Sequence, residues 1–375
     1  MNVLITGARA PIAADLARAC ALAGHRVWTA DSLRWPVGAA SPFIVGSLRM
    51  PAPRANPAAF TAALSAACRE LRLDAIIPTS EEVFWLAAGA PRLPRTVRVC
   101  TSTPATLARL HDKIRFAALA TELGYGAPES RAIASREDLD AITRPEDFVL
   151  KPAFSRFATR TLIGPTRARL RAILPSAEQP WLAQTRLKGR EFCLYNVADR
   201  GRLLLHVAYE PALRHGLGAS LCFRPVHHAG LRALAARFIA ATEFTGQISF
   251  DAMADAGRLV ALECNPRGTS GVHLAAQQPA ALAAALLEGA ATPAVLAAPS
   301  ALKLPILLGQ PRAYLRGESR ALLRSARDAQ AEAGISAFAQ LRALGELSWR
   351  ALRSGRGLAA ASTADIEWNG EPLHG

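Results

Sequence analysis

The chain has 375 residues, 51% of them hydrophobic, and a formal net charge of +14. That length fits two or three domains, and the apolar fraction supplies ample core, which excludes a disordered chain. The excess charge is mostly arginine, spread along the sequence without a helix-turn-helix, RNA-binding or zinc pattern; this argues against nucleic acid and leaves small anionic substrates such as nucleotides.

The chain opens on a buried-type strand, Asn2–Thr6, then a Gly7-Ala8-Arg9-Ala10-Pro11 turn and a helix over Ile12–Ala23. A second strand, His25–Ala30, ends at Asp31, completing a Rossmann-like βαβ unit. A dinucleotide fingerprint needs three spaced glycines and only Gly7 is present, so NAD is not expected. No secretory signal precedes the first strand. A helix over Asn56–Leu71 follows, then a strand from Asp74 that runs into the polar turn Thr79-Ser80-Glu81-Glu82. Turns at the C-terminal ends of parallel strands are where ligands usually sit, which makes Glu81 and Glu82 candidate substrate contacts. They equally suit the first turn of a helix over Glu81–Ala88 capped by Ser80. Arg98–Thr101 is a further short strand.

Pro104–Leu123 reads as one helix carrying His111-Asp112-Lys113. Phe148–Lys151 is an apolar strand whose terminal Lys151 favours an inward ammonium with an anionic partner, such as a nucleotide phosphate. Trp181–Gln184 is a strand, followed by a glycine turn at Gly189. Within Tyr209–Arg224, Arg214 and His215 are suited to a substrate carboxylate. Gly246–Gly271 reads as a hairpin. A three-residue turn, Asp255-Ala256-Gly257, would pair Ala254 with Arg258 and set Asp251 opposite Ala261. Asp251, Glu263 and Asn265 then share one face, two carboxylates and an amide oxygen that suit Mg²⁺; a four-residue turn would separate Asp251 from Glu263. Ser270 lies in a glycine-flanked loop able to approach a substrate. Gln277, Gln278, Pro279, Glu288 and Pro293 interrupt the Ala/Leu-rich tract Ala276–Ala298, so no membrane span is expected. Arg320–Ala333 and Ser336–Arg353 read as amphipathic helices, and Thr363–Trp368 as a strand or extended end. The six cysteines lack CxxC spacing and fit buried free thiols in a reducing cytoplasm.

The ordered set IIPTSEE, LHDKIRF, FVLKPAFSRF, WLAQTRLKGREF and FDAMADAGRLVALECNPRGTSG resembles the ATP-grasp superfamily, in the branch akin to carbamoyl-phosphate synthase and carboxylate–amine ligases. The resemblance runs from the first strand to about Gln310. It implies an α/β and α+β architecture: a Rossmann-like domain over 1–103, an ATP-grasp domain over 104–310 with lobes at 104–185 and 186–310, and a helical extension over 311–375. By the same resemblance Lys113 and Lys151 meet the nucleotide phosphates, and Gln184, Arg186 and Leu187 line the adenine. Glu191 holds the ribose, Asp251, Glu263 and Asn265 bind magnesium (or manganese), and Arg267 stabilises the transferred phosphoryl group. In the carbamoyl-phosphate branch the first metal ligand often stands at the position of Ser249. The loop after Lys151, Pro152 to Arg160, lacks the family's usual glycines, so Ser155, Arg156 and Thr159 would contact phosphate through side chains. The implied activity is Mg-dependent, ATP-driven joining of a carboxylate to an amine in a cytoplasmic enzyme, as a monomer or homodimer. The alternatives are phosphoryl transfer without an amine acceptor and non-catalytic ATP binding.

Overall fold

The computed structural model describes every residue except 157, 159, 216–217, 293–296 and 374–375; the side chains of His215 and Ala219 also lie outside the described residues. The expected roles of Thr159 and His215 therefore fall outside them.

Three sheets organise the chain. The first is parallel, in the order β3-β2-β1-β4-β5, from Asn2–Thr6 (β1), Arg26–Asp31 (β2), Gly46–Arg49 (β3), Ala75–Ile77 (β4) and Arg98–Val99 (β5). Val3–Ile5 of β1 and all of β4 are fully buried runs of Val, Leu, Ile and Ala, as a sheet covered on both faces requires. This is the expected Rossmann-like unit.

The second sheet is antiparallel, in the order β6-β9-β7-β8: Ser130–Ile133 (β6), Phe148–Pro152 (β7), Leu162–Ile163 (β8) and Trp181–Thr185 (β9). It has its own small core, including Ile133, Leu139, Phe148, Leu150 and Trp181. The third, of seven strands, runs β14-β13-β10-β11-β12-β15-β16. Its strands are Arg190–Asp199 (β10), Arg202–His215 (β11), Ala219–Val226 (β12), Gly246–Asp255 (β13), Arg258–Asn265 (β14), Ser300–Ala301 (β15) and Arg327–Asp328 (β16). One hydrophobic cluster joins this sheet to the Rossmann-like unit and takes in Trp368 from the tail.

Five local expectations change. The helix over Pro104–Leu123 is two helices, Pro104–His111 and Lys113–Glu122, because Asp112 leaves the helical conformation and caps the second, accepting from the Ile114 amide at 2.8 Å. Ser80 does not open a helix at Glu81; that helix spans Val83–Gly89. Arg320–Ala333 is not one helix but Gly317–Ser325, β16 and Ala329–Glu332. After a helix over Leu358–Thr363, residues 364–373 form no strand.

The fifth concerns the β13–β14 hairpin. Its turn has two residues, pairing Asp255 with Arg258. Ala256 (φ 46°) and Gly257 (φ 77°) are both left-handed, as a type I′ turn requires. That turn alone would set Asp251 opposite Leu262. A bulge between Asp251 and Ala252 absorbs one residue, so Ala252 faces Ala261 and Asp251 faces Glu263 instead of Ala261. The two carboxylates therefore meet across the hairpin, by a shorter turn plus a bulge rather than by a three-residue turn.

Candidate active site

The site forms where β7 of the second sheet meets the β13–β14 edge of the third. Leu262, the bulged residue, has no ladder partner. Its carbonyl accepts from Lys151 Nζ at 2.9 Å, which ties the two sheets together. Lys151 and Lys113 are both buried. Burial pulls the Lys151 ammonium down to about 8, opposed by Glu263. Lys113 Nζ lies 3.6 Å from Glu263 Oε2 and donates to the Ser155 carbonyl at 2.9 Å.

The facing carboxylates respond in opposite directions. Burial, reinforced by Glu263, pushes Asp251 up. Burial also acts to raise Glu263, but Lys113 and Lys151 outweigh it and hold Glu263 down. Asn265, paired with Ser249 in the ladder, accepts from Arg267 Nη2 at 3.2 Å through Oδ1. Ser249 is buried and donates to the Arg267 carbonyl at 3.2 Å. Among the described residues no group of three His, Cys, Asp or Glu side chains gathers to hold a metal. Two carboxylates and an amide oxygen nevertheless suit magnesium, which keeps waters and substrate phosphate oxygens as its remaining ligands.

Arg267 Nε reaches Glu81 Oε1 at 2.8 Å, and Arg156 Nε lies 2.7 Å from Glu81 Oε2. Glu81 is buried; burial acts to raise its carboxyl, but the two guanidinium groups hold it far below the usual range. His111 lies 3.8 Å from the same carboxylate, yet burial lowers it to about 3, so it is neutral at neutral pH. Glu81 thus bridges two arginines that follow strands of two different sheets, β7 and β14. Glu82 is also buried, accepting from Thr6 Oγ1 at 2.9 Å and the Thr79 amide at 3.0 Å beneath the Gly7 turn. Glu82 stands at the N-cap of the following helix, but its side chain makes no capping hydrogen bond.

The other expected contacts have local partners. Gln184 is buried and donates to Ser130 at 3.3 Å. The Arg186 amide donates to the Asp147 carbonyl at 2.7 Å, and Leu187 is half-buried beside it. Gly189 passes so close to the hairpin tip that an added Cβ would lie 1.9 Å from the Ala254 carbonyl oxygen, which places β10 against β13. Glu191 and Arg214 are ion-paired with one another. Ser155 Oγ donates to the Pro152 carbonyl at 3.4 Å; Ser270 is half-buried in the turn after Arg267, where its carbonyl accepts from the His273 amide. Arg156 is held by the tail as well as by Glu81: it donates to Asn369 Oδ1 at 2.8 Å and to the Trp368 carbonyl, and lies 3.5 Å from Glu367.

Two features escaped the sequence reading. Cys193 faces Asp251 in the ladder, and burial together with Asp251 pushes its thiol up; period-two counting from Glu191 would have set it on that face. The tail contact with Arg156 carries no local signal. Beside it lies a cavity of about 1060 Å³, lined by Arg54, Phe154, Arg156, Arg160, Arg356 and Asn369 among others. At the tip of β1, by contrast, Arg9 pairs with Asp31 at 2.7 Å and with Asp365 of the tail, and only about 10 Å³ of space remains. The crevice where a dinucleotide would sit is closed.

This combination of sheets is the ATP-grasp fold with an N-terminal Rossmann-like domain. Among solved structures, the chain is similar to N5-carboxyaminoimidazole synthetase from Staphylococcus aureus (TM-score 0.61, 14% identity, covering 81% of this chain and 84% of that one). It is also similar to L-amino acid ligase from Bacillus licheniformis (TM-score 0.56, 15% identity, 76% and 75% covered). A third is the biotin carboxylase domain dimer of Hydrogenobacter thermophilus 2-oxoglutarate carboxylase, in complex with MgADP, ADP and bicarbonate (TM-score 0.59, 13% identity, 78% and 70% covered). No family model and no curated protein matches the sequence.

Proposed function

We propose that the chain is a magnesium-dependent ATP-grasp ligase that activates a carboxylate with ATP and joins it to an amine, releasing ADP and phosphate. The observation that carries this reading is the meeting of Lys113 and Lys151 with the Asp251–Glu263 pair at the junction of two sheets. Two buried ammonium groups beside two carboxylates suit a polyphosphate and its counter-cation. Bound magnesium would neutralise phosphate charge between Asp251, Glu263 and Asn265. The lysines hold the phosphate oxygens, and Gln184, Arg186, Leu187 and Glu191 face the base and ribose. A substrate carboxylate oxygen attacks the γ-phosphorus and ADP leaves. The amine nitrogen then attacks the acyl carbon, phosphate departs, and the amine proton passes to solvent. Arg267, held by Glu81, steadies the charge on the phosphoryl oxygens during both steps.

The cavity beside Arg156 fits an anionic substrate. Arg160 and Arg356 line it without an ion pair among the described residues, while Arg54 is paired with Glu367 and Glu371. Glu81 and Glu82 act in this reading as supports. Arg214, paired with Glu191, sits on the nucleotide side, and Ser270 next to Arg267. A cytoplasmic location and a homodimer belong to the same reading, the first resting on the unpaired cysteines and the second on the dimeric neighbour.

The test is ADP release across paired carboxylates and amines with MgATP, with products identified by mass spectrometry. ADP formation that requires both partners supports the ligase. ADP formation with the carboxylate alone would replace it with phosphoryl transfer, and MgATP binding without turnover on any pair would make the chain a nucleotide-binding protein.

A further inference from the structure

The helix Ala337–Ser354 docks by its small side. Ala339 and Ala343 are its buried residues, while Phe338 is 73%, Leu341 46%, Trp349 56% and Leu352 81% exposed. At about 100° per residue, those four side chains and Gly345 fall within an arc of roughly 80°, on the side away from the two alanines. An ordinary surface helix turns its bulky apolar stripe inward; this one presents it outward. Scattered exposed apolar residues need no explanation, but a continuous stripe marks an interaction surface.

The charge beside the stripe is of one sign. Arg342 and Arg353 border it and form no ion pair among the described residues; they lie over the rings of Trp35 and Trp349, at 5.8 and 4.5 Å from the centroids. Arg34, also over Trp35, lies on the same edge, and Arg356 follows the helix. The helix's single acid, Glu346, follows Arg353 on that edge but is largely buried and already engaged: it accepts from the Arg34 and Trp35 amides at 3.0 and 2.8 Å and lies 3.8 Å from Arg350. A second copy of this face would bring like charges together without an acid to offset them. An anionic lipid surface would accept the aromatic and leucine side chains at the acyl boundary while the arginines reach the headgroups.

We propose that the Ala337–Ser354 helix rests in the plane of an anionic membrane surface, carrying the protein as a peripheral membrane protein. No helix among the described residues is long and apolar enough to cross a membrane, so the attachment is lateral and reversible.

The test is co-sedimentation of the full chain with vesicles of phosphatidylcholine alone and of phosphatidylcholine mixed with phosphatidylglycerol. The wild type should sediment with the mixed vesicles only. Phe338→Ser with Leu352→Ser, which keeps the net charge, should weaken partitioning by about tenfold or more. Arg342→Gln with Arg353→Gln should weaken it and flatten its salt dependence. Brominated acyl chains should quench wild-type fluorescence, and Trp349→Phe should remove most of that quenching, a readout independent of the serine variant's folding. Three results would overturn the proposal: no sedimentation of the wild type with mixed vesicles; unchanged partitioning of a folded serine variant, which would mean adsorption by overall charge; or a wild-type dimer that ignores vesicles and that the serine variant dissolves, which would assign the face to a second copy.

Discussion

Glu81→Gln tests the bridge between the two arginines. In the wild type one buried carboxylate meets Arg267 at 2.8 Å and Arg156 at 2.7 Å. The amide keeps the shape, but it removes the negative charge and turns an NH₂ group toward one guanidinium. Breaking a buried ion pair from one side costs about 3–5 kcal/mol. A chain of this length has an unfolding entropy near 0.8 kcal/mol per kelvin, so the thermal midpoint should fall by roughly 4–6 °C. Glu81's folded-state carboxyl is held below its unfolded value. Its stabilisation is therefore complete above the ordinary carboxylate range and fades as pH falls toward the folded value. The variant lacks that contribution, so the two midpoints should converge on acidification. Scanning calorimetry from neutral to acidic pH measures both effects. A midpoint within about 1 °C of wild type at neutral pH, or a gap that widens in acid, would refute the bridge.

Three further outcomes follow from the geometry. With Lys151 at about 8, kcat/KM for ATP should fall as pH rises through that value, because the ammonium proposed to meet phosphate is lost; a flat profile to pH 10 would remove Lys151 from the proposed phosphate site. Trp368→Ala empties a buried ring stacked on Phe84 at 4.9 Å, and should cost about 3–5 kcal/mol in chemical denaturation. Ala256→Asn relieves a left-handed alanine and supplies the Asn-Gly pair that type I′ turns favour; it should raise stability by about 0.5–1 kcal/mol, read as a higher denaturation midpoint.

What was legible in the sequence is what depends on local pattern. The βαβ unit shows in apolar runs punctuated by Gly7 and Gly24, and Lys151 and Glu263 show as polar residues set in strands that are otherwise apolar. What was not legible depends on distant partners. Asp251 reaches Glu263, but through a bulge at Leu262 that no residue type announces, and the turn length was misjudged because Asp255 continues the strand. Arg214 and Glu191 were separate candidates until two strands set them side by side. The anchoring of Arg156 to the tail has no local signal, because its hydrogen-bond partner Asn369 lies 213 residues away.

The tail also gives the fold an order of completion. Arg9 precedes its partner Asp365 by 356 residues, so synthesis delivers the two far apart in time. Until then Arg9 has Asp31 and Ser32 to hold it, but the mouth of the first sheet stays open and Trp85 lacks the Ile366 carbonyl that accepts its indole N–H at 2.9 Å. The Rossmann-like unit is thus sealed by residues made long after its own. A nascent chain halted before residue 365 would expose an unfinished crevice to chaperones and proteases, which makes the stretch around Asp365 a quality check on the Rossmann-like unit.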